Sequence, residues 1–362
     1  MYLTFGEIML RVTPEGFWRF RQVLPGRVEA SFGGAESNVC AALANLGEKT
    51  RYLTALPDHA IAHSLVAFLR GLGIDTDSIL VRKDGRLGIY FLEAGANQRS
   101  SNVLYDRAGS AIALAAPDEY DLDTALDGVH WVHVTGITPS LSENAYLSTL
   151  RLVQAAKARG ATVSCDLNYR KKLWKWHPQK TQAELAGECM STILPYADLV
   201  VGNEEDADKV LGIAAEGTDV ESGAIDAAAY EAVAKAIVER FPKVSRVAIT
   251  LRESISASHN NWGGMLFDAA TGRSHFAPLD ADGNYSPYEI RSIVDRVGAG
   301  DSFAGGLIYA LNSQAYAAPD AAIRFAVAAS CLKHSIRGDV NYATLDEVAA
   351  LVAGQASGRV RR

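Results

Sequence analysis

The sequence predicts an α/β fold in which helices cover a doubly wound, mainly parallel sheet and a small second β-sheet stands apart. Short apolar or β-branched runs alternate with alanine-rich amphipathic segments, which is the pattern of a parallel sheet between helices. Two regions, about 13–30 and 86–106, interrupt this alternation. The 362 residues are 48% hydrophobic, enough for a sizeable core in one large domain or two smaller ones.

The elements of the main sheet are expected in the following order. The first strand is predicted at 3–12, and a helix at 35–46 places Val39, Leu43 and Leu46 on one face. Further strands are predicted at 51–55, 129–134, 161–167, 198–202 and 246–251, each leading into a turn or helix. Because open doubly wound sheets bind ligands at the carboxyl ends of their strands, polar residues after these strands are candidate site residues.

The two interrupting regions predict the small sheet. Both alternate aromatic and polar residues, contain glycine or proline, and lack a helical period. We therefore expect strands set apart from the core at about 13–30 and 86–106. The tail after about residue 354 is expected to be disordered.

Composition and charge exclude several classes of function. The net charge is −7 and no basic tract is longer than 170–172, which disfavours nucleic acid as a partner. No apolar run reaches membrane-spanning length and no basic region precedes one at the start, so neither a membrane partner nor a leader is expected and a cytoplasmic location follows. The four cysteines lack CxxC spacing, and His130 and His133 should lie on opposite faces of a strand, so no zinc site is indicated.

The segment 293–311 is the most informative. Ile293 and Val294 resemble the end of a strand, Gly298 and Gly300 predict a tight turn, and apolar residues then recur at helical spacing. The backbone N–H groups of Gly298, Ala299 and Gly300 can therefore converge on an anion at a helix N-terminus. A phosphate group fits such a turn.

Asp301 places a carboxylate beside this phosphate site. It would repel the ligand unless a base is needed, for example to take a proton from an attacking hydroxyl. Capping of the helix is the alternative, and for an isolated G-x-G-D the two are about equally favoured. The segment lacks both the G-K-[ST] of a P-loop and the third glycine of a dinucleotide fingerprint.

Two motifs carry a resemblance to a known family. DRVGAGDSFAGG at 295–306 resembles the C-terminal signature of the ribokinase-like (PfkB-type) carbohydrate kinases, and GGAESN at 33–38 resembles the N-terminal one. The resemblance implies a single ribokinase-like domain over 1–362, ATP and Mg²⁺ as cofactors, and a lid made of the small sheet, through which a homo-oligomer could form. Two stretches, 213–228 and 280–291, resemble insertions.

The N-terminal motif predicts part of a sugar site. Gly33 and Gly34 would let backbone N–H groups approach a ligand closely, and Asn38 lies one helical turn further on. A plain turn at a helix start is the alternative. The resemblance implies that Gly34 contacts the sugar through its backbone and that Asn38 contacts a hydroxyl.

Two arginines suggest an acidic sugar. Arg107 on the predicted lid and Arg170 after a predicted strand could grip a carboxylate together, although each could instead pair with a surface acid. GITPSL at 136–141, DLNYRKKLW at 166–174 and LKHSIRGDVN at 332–341 resemble 2-keto-3-deoxygluconate kinases. This resemblance implies substrate contacts for Tyr90, Tyr105, Arg107 and Arg170, and hydroxyl acceptance by Asp339, which could equally be a loop acid.

The nucleotide side is expected at the ends of two later strands. Asn203 could cap the next helix, and the resemblance places a motif there that organises magnesium and phosphate through water, with Asp206 in a position where glutamate is usual. The resemblance also implies that Thr250 and Arg252 contact ATP phosphates. For Arg252 an ion pair with Glu253 is the alternative.

Together these features predict an ATP-dependent kinase whose partners are ATP and a small-molecule sugar acid. Asp301 would accept the proton of the 6-hydroxyl of 2-keto-3-deoxy-D-gluconate while the 298–301 turn binds the transferred phosphoryl group. The alternatives are a fructokinase or another PfkB-type kinase, and a non-catalytic sugar-sensing protein of the same fold.

Overall fold

The computed structural model describes residues 1–214 and 227–355. The predicted insertion at 213–228 and the tail after about residue 354 therefore lie mostly outside the described residues. Among the described residues, no helix combines the length and the apolar character needed to cross a membrane.

The strands of the described residues are numbered β1 to β15 along the chain. They are Tyr2–Phe5, Met9–Thr13, Glu29–Gly33, Thr50–Leu53, Ala55–Pro57, Leu80–Arg82, Ile89–Glu93, Asn102–Asp106, Trp131–Thr135, Thr162–Asp166, Leu199–Gly202, Arg246–Ser256, His259–Asp268, Arg273–Ala277 and Tyr288–Ile290.

The helices of the described residues are numbered α1 to α12 in the same way. They are Phe20–Val23, Ala35–Asn45, Ala60–Gly71, Ala111–Leu114, Leu122–Ala125, Glu143–Ala158, Gln182–Ile193, Glu204–Leu211, Ala227–Arg240, Ala299–Asn312, Pro319–Lys333 and Leu345–Val352.

The main sheet confirms the predicted fold class. Its strand order is β14-β13-β12-β11-β10-β9-β1-β4, and β15 pairs with β13. All neighbouring pairs from β4 through β12 are parallel, whereas β13, β14 and β15 add antiparallel pairs at the other end. The carboxyl ends of the parallel strands therefore lie along one edge of the sheet.

Helices cover both faces of this sheet. This is shown by successive residues of one strand, which pack into different hydrophobic clusters. Val200 of β11 packs into a cluster that contains α6 and α7, whereas Leu199 and Val201 pack into a cluster that contains α2, α10 and α11. A strand buried on both faces appears in sequence as a continuous apolar run, as in β11. Phe303 and Leu307 are fully buried in the second cluster and anchor α10 to the sheet.

A separate four-stranded sheet has the order β3-β2-β7-β8. Strands β7 and β8 lie within the region predicted at 86–106, which confirms that part of the small sheet. The boundaries predicted at 13–30 are wrong, because the two strands flank most of that region as β2 and β3. The residues between them contain Pro14, Pro25 and the short helix α1. Proline cannot donate a hydrogen bond to a strand ladder.

The strand predicted at 3–12 is also wrong as a single element. Its first half is β1 of the main sheet and its second half is β2 of the small sheet. The chain changes sheet at Gly6, where a built Cβ would lie 2.1 Å from the carboxyl carbon of Glu36. Both halves are rich in apolar residues, so the pattern contains no signal for the break.

Two further local predictions differ from the structure. The strand expected at 51–55 is divided between β4 of the main sheet and β5 of a two-stranded sheet. Ile293 and Val294 do not end a strand, because the chain from residue 291 to α10 is irregular. The side chain of Asp295 accepts the N–H of Val297 and thereby stabilises this irregular stretch. The helix predicted at 35–46 is confirmed as α2.

Candidate active site

A cavity of about 710 Å³ lies where the small sheet covers the carboxyl ends of the parallel strands. This volume suits a small-molecule ligand. Every residue predicted for the site lines the cavity except Gly33; the lining members of that set are Gly34, Asn38, Tyr90, Tyr105, Arg107, Arg170, Asn203, Asp206, Thr250, Arg252, Gly298, Ala299, Gly300, Asp301 and Asp339. The fold therefore brings together side chains from positions 34 to 339.

Gly33 and Gly34 have different packing roles. A Cβ on Gly33 would lie 2.1 Å from Oδ2 of Asp339, so this glycine lets the carboxylate approach the end of β3. A Cβ on Gly34 would lie 2.1 Å from the carbonyl oxygen of Glu7. Of the two, Gly34 lines the cavity, with its N–H 3.4 Å from Oδ1 of Asn38.

Asp301 lies in the first turn of α10 and is not the residue that caps the helix. The N-cap position is Gly298, and the carboxylate of Asp301 instead accepts a hydrogen bond from Nδ2 of Asn38 at 2.7 Å. Desolvation raises the pKa of Asp301 to about 6, while the bond from Asn38 and the charge of Arg170 oppose that rise. A carboxylate with this pKa is mostly ionised at pH 7 and is a better proton acceptor than an ordinary aspartate.

The turn before α10 presents backbone N–H groups to the cavity. Gly298 has φ +82°, in the left-handed region, and a Cβ there would lie 2.1 Å from the carbonyl oxygen of Asp339. The N–H of Ala299 donates to the carbonyl oxygen of Arg296 at 3.4 Å. Gly300 and Asp301 occupy first-turn positions, whose N–H groups have no partner within the helix. A Cβ on Gly300 would meet no described protein atom within 4 Å, so the space above it is open to a ligand.

The two predicted arginines are in different electrostatic states. Nε of Arg107 donates to Oε2 of Glu7 at 2.6 Å, and both side chains are buried. Arg170 is exposed at the cavity, and its Nη1 donates only to the carbonyl oxygen of Tyr169 among the described residues. Contact of both guanidiniums with a substrate carboxylate stays a prediction, and the charge of Arg107 is already balanced by Glu7.

Asp339 is the centre of a buried network that the sequence did not predict. Its Oδ1 accepts from Tyr90 at 2.6 Å and from Nη1 of Arg11 at 2.7 Å. The other terminal nitrogen of Arg11 donates to Asp295 at 2.5 Å. Arg11 lies in an apolar strand and Asp295 within the signature motif, so no local pattern pairs them.

Asn203 and Asp206 form a capping box at the start of α8. The N–H of Asp206 donates to Oδ1 of Asn203 at 2.8 Å, and Oδ2 of Asp206 accepts the N–H of Asn203 at 3.2 Å. Oδ1 of Asp206 accepts the N–H of Tyr169 at 2.8 Å. Burial raises the pKa of Asp206 to about 6. Both carboxylate oxygens are thus occupied by backbone groups.

A dedicated magnesium cage does not fit the residues of this site. The described residues contain no group of three or more His, Cys, Asp or Glu side chains arranged to hold a metal ion. The oxygens of Asp206 already accept backbone hydrogen bonds. Mg²⁺ usually keeps several waters and is bound through substrate phosphates with one or two carboxylates, so it does not require such a cage.

Thr250 and Arg252 lie on β12 in the part that pairs with β13. Glu253 accepts a hydrogen bond from Asn261, its cross-strand partner, and no ion pair joins it to Arg252 among the described residues. The surface ion pair considered for Arg252 is therefore not formed.

Arg296 also lines the cavity, and its Nη2 donates to the carbonyl oxygen of Ala257 at 2.7 Å. Its position inside the signature motif was a signal that the sequence interpretation did not use.

Two buried acids near the site were also missed. Glu36 is fully buried, its Oε1 accepts from Thr135 and Thr138 at 2.7 Å each, and burial raises its pKa to about 7. Asp166 ends β10, and burial together with nearby acids raises its pKa well above the ordinary value. The place of Asp166 at the end of a predicted strand could have identified it, and Glu36 lies inside the N-terminal motif at 33–38.

A family model and several known proteins resemble this chain over most of its length. A family model described as "pfkB family carbohydrate kinase" matches residues 2–251 and 274–343. A 2-dehydro-3-deoxygalactonokinase of Haloferax volcanii is 30% identical over 98% of each chain. The crystal structure of a 2-dehydro-3-deoxygluconokinase from Thermotoga maritima is 42% identical, covers 98% of this chain and 99% of its own, and has a TM-score of 0.87. A fructokinase from Xylella fastidiosa with bound ATP shares the fold, with 20% identity, a TM-score of 0.73, and coverage of 98% and 99%.

Proposed function

The chain belongs to the pfkB family of carbohydrate kinases, and on that premise we propose that it phosphorylates the 6-hydroxyl of 2-keto-3-deoxy-D-gluconate with ATP. The observation that supports this most is the carboxylate of Asp301, held by Asn38 at the N-terminus of α10 inside the cavity. A proton acceptor beside an anion-binding backbone provides two components of phosphoryl transfer. The names of the two relatives noted above support a keto-deoxy sugar acid as the substrate class.

The chemistry assigned to Asp301 is a single proton transfer. The 6-hydroxyl oxygen attacks the γ-phosphorus, its bond to phosphorus forms, and the bond from phosphorus to the leaving oxygen of ADP breaks. Asp301 takes the hydroxyl proton as this charge develops. The backbone N–H groups of Gly300 and Asp301, with the helix dipole, stabilise the transferred group.

The sugar is assigned to the part of the cavity under the small sheet. Gly34 and Asn38 lie near Asp301, and Tyr90 and Tyr105 come from register-paired positions of β7 and β8. Arg107 and Asp339 complete this group and offer directional donors and acceptors. Arg170 supplies positive charge for the substrate carboxylate, because its guanidinium forms no ion pair among the described residues whereas Arg107 is paired with Glu7.

The nucleotide is assigned to the opposite part of the cavity. Thr250 and Arg252 on β12, Asn203 at the end of β11 and Arg296 before the turn line this part. The two guanidiniums offset phosphate charge. Magnesium would accompany the nucleotide, with Asp206 contributing only through water.

ADP release from the purified protein with ATP and magnesium tests the proposal. The substrate panel contains 2-keto-3-deoxygluconate, 2-keto-3-deoxygalactonate, fructose, ribose and adenosine. We expect fast turnover confined to the two keto-deoxy acids. The position of the new phosphate on the product, read by phosphorus–carbon NMR couplings, distinguishes the 6-hydroxyl from the others.

Other outcomes separate the alternatives. Preference for fructose or another neutral compound would retain the kinase chemistry and overturn the acidic substrate. Sugar binding without ADP release across the panel would favour a sugar-sensing protein of the same fold.

A further inference from the structure

Two side chains of the small sheet donate hydrogen bonds to one carboxylate, that of Asp339. Arg11 of β2 and Tyr90 of β7 are register partners in the parallel pair at the centre of this sheet. Both donate to the same oxygen, Oδ1 of Asp339, at 2.7 and 2.6 Å. Gly33 at the end of β3 lets the other oxygen of Asp339 lie against its backbone. Three of the four strands of the small sheet therefore contact Asp339.

The same network reaches the phosphate-binding turn from behind. Arg11 donates through its second terminal nitrogen to Oδ2 of Asp295. Asp295 in turn accepts the N–H groups of Val297 and Gly338 at 3.0 and 3.1 Å. The turn that leads into Gly298 is thus held by a carboxylate whose charged partner belongs to the small sheet.

Burial makes these contacts specific. The side chains of Arg11, Asp295 and Asp339 are 4%, 7% and 4% exposed. Lys333, fully buried, lies close enough to influence both carboxylates and donates to the carbonyl oxygen of Ile336. A buried guanidinium between two carboxylates has few alternative geometries, because each broken contact leaves an unpaired buried charge.

Arg11 and Asp295 are separated from the ligands themselves. Tyr90 and Asp339 line the cavity, whereas Arg11 and Asp295 are not among its described lining residues. A role for Arg11 must therefore be exerted through Asp339, Tyr90 and Asp295. This makes it a positioning residue and not a substrate contact.

We infer that Arg11 couples the small sheet to the phosphate-binding turn, so that sugar held under the sheet sets the turn in its productive geometry. The inference rests on the proposed kinase function. Without the Arg11 side chain the turn would be less ordered. ATP would then be used less selectively, since water could replace the sugar hydroxyl as acceptor. The coupling travels through a continuous chain of hydrogen bonds and ion pairs.

The test compares the wild type with Arg11→Met, Asp295→Asn and the double variant. Three quantities are measured: kcat and KM for sugar-dependent ADP formation, ADP formation without sugar, and hydrogen exchange of the 296–301 amides without ligand. Arg86→Met is the matched control, because Arg86 pairs with Asp106 in an exposed ion pair at the edge of the small sheet.

For Arg11→Met we expect a kcat at least tenfold lower with a sugar KM within threefold of wild type. The ratio of sugar-dependent to sugar-independent ADP formation should fall at least tenfold, and exchange at 296–301 should be at least tenfold faster. Asp295→Asn should move all three quantities in the same direction, and the double variant should be no worse than the more affected single variant. Arg86→Met should match the wild type.

Wild-type exchange and an unchanged ADP ratio in both single variants would overturn the inference, as would additive losses in the double variant. If Arg11→Met does not fold, the Asp295→Asn variant alone tests the inference. This variant keeps the shape of the side chain at position 295 and leaves the guanidinium of Arg11 in place. A wild type without sugar-dependent turnover would refute the proposed function instead, and the exchange measurement would still test whether the sheet and the turn are coupled.

Discussion

The carboxylate of Asp301 is distinguished from an ordinary helix-terminal aspartate by its partner. It accepts from the side chain of Asn38 on another helix, and the helix start is formed by Gly298. An aspartate that only caps a helix would instead accept an N–H of its own first turn. This difference supports a base, the role that the sequence predicts for Asp301, over a cap.

Replacing Asp301 by Asn should remove the proton acceptor while keeping the shape of the side chain. We expect kcat to fall by about 10²–10⁴, the usual contribution of general base catalysis. Sugar affinity, measured by calorimetry without ATP, should stay within a few-fold of wild type. An unchanged kcat would refute the assigned role.

Asn38 should set the pH at which Asp301 becomes active. The base must be ionised, so kcat/KM should rise with pH through about 6, the raised pKa of Asp301, and then level off. The hydrogen bond from Asn38 lowers that pKa, so Asn38→Ala should move the acid limb of the profile to higher pH. Ser37→Ala is the control, because Ser37 bonds the carbonyl oxygen of Gly34 and not Asp301. A limb that stays in place in Asn38→Ala would contradict the assignment.

Arg170 should determine preference for an acidic substrate. Arg170→Met is expected to raise KM for 2-keto-3-deoxygluconate about 10- to 100-fold, consistent with losing a charge-assisted hydrogen bond worth about 1.5–3 kcal/mol. The poor activity on a neutral sugar should change little, and steady-state kinetics on both substrates measures the difference. Equal losses on both would show that Arg170 does not recognise the carboxylate.

Helix α10 begins at a residue whose conformation and surroundings both require glycine. Gly298→Ala would add the strain of a positive φ and a Cβ 2.1 Å from the carbonyl oxygen of Asp339. We expect a loss of about 2–4 kcal/mol in the free energy of unfolding, with a raised KM for ATP because the turn is displaced.

Gly47→Ala is the matched control for this substitution. Gly47 also has a positive φ, +93°, but a Cβ there would meet no described protein atom within 4 Å. This variant should lose only about 1 kcal/mol in the free energy of unfolding, from the backbone strain, and its KM for ATP should be unchanged. Equal losses in the two variants would mean that the contact with Asp339 is unimportant.

At the scale of the whole molecule, buried acids make stability depend on pH. Burial raises the pKa of Glu36 from 4.5 to about 7, so the folded protein binds this proton more tightly than the unfolded chain. Its stabilising contribution is fully present below about pH 4.5 and is lost as pH rises through 7. The loss amounts to about 3 kcal/mol.

Glu36→Gln should abolish this loss, because the amide oxygen can still accept from Thr135 and Thr138 and no charge develops. We expect the stability of the variant relative to wild type to increase between pH 5 and pH 8, measured by thermal unfolding. Glu15→Gln, at an exposed position, should show no such change. A constant difference across the pH range would refute this account of Glu36.

The sequence predicted the main sheet and fifteen of the residues that line the cavity because those features have local patterns. Apolar runs mark strands such as β11, and the motif around Asp301 contains the turn, the helix start and the carboxylate within a few residues. The pairing of Arg11 with Asp339 joins positions 328 residues apart. The pairing of Arg107 with Glu7 joins positions 100 apart. The fold brings such distant residues together, and the sequence around one partner contains no indication of the other.

The small sheet is assembled from two distant stretches of chain, with β2 and β3 from one and β7 and β8 from the other, joined by the parallel pair β2–β7. A chimera that exchanges only one stretch with a relative would therefore place a foreign strand against a native one at the centre of the sheet. Residues 9–33 and 89–106 form one unit of recombination despite their separation. Directed evolution of substrate preference should shuffle the two stretches together.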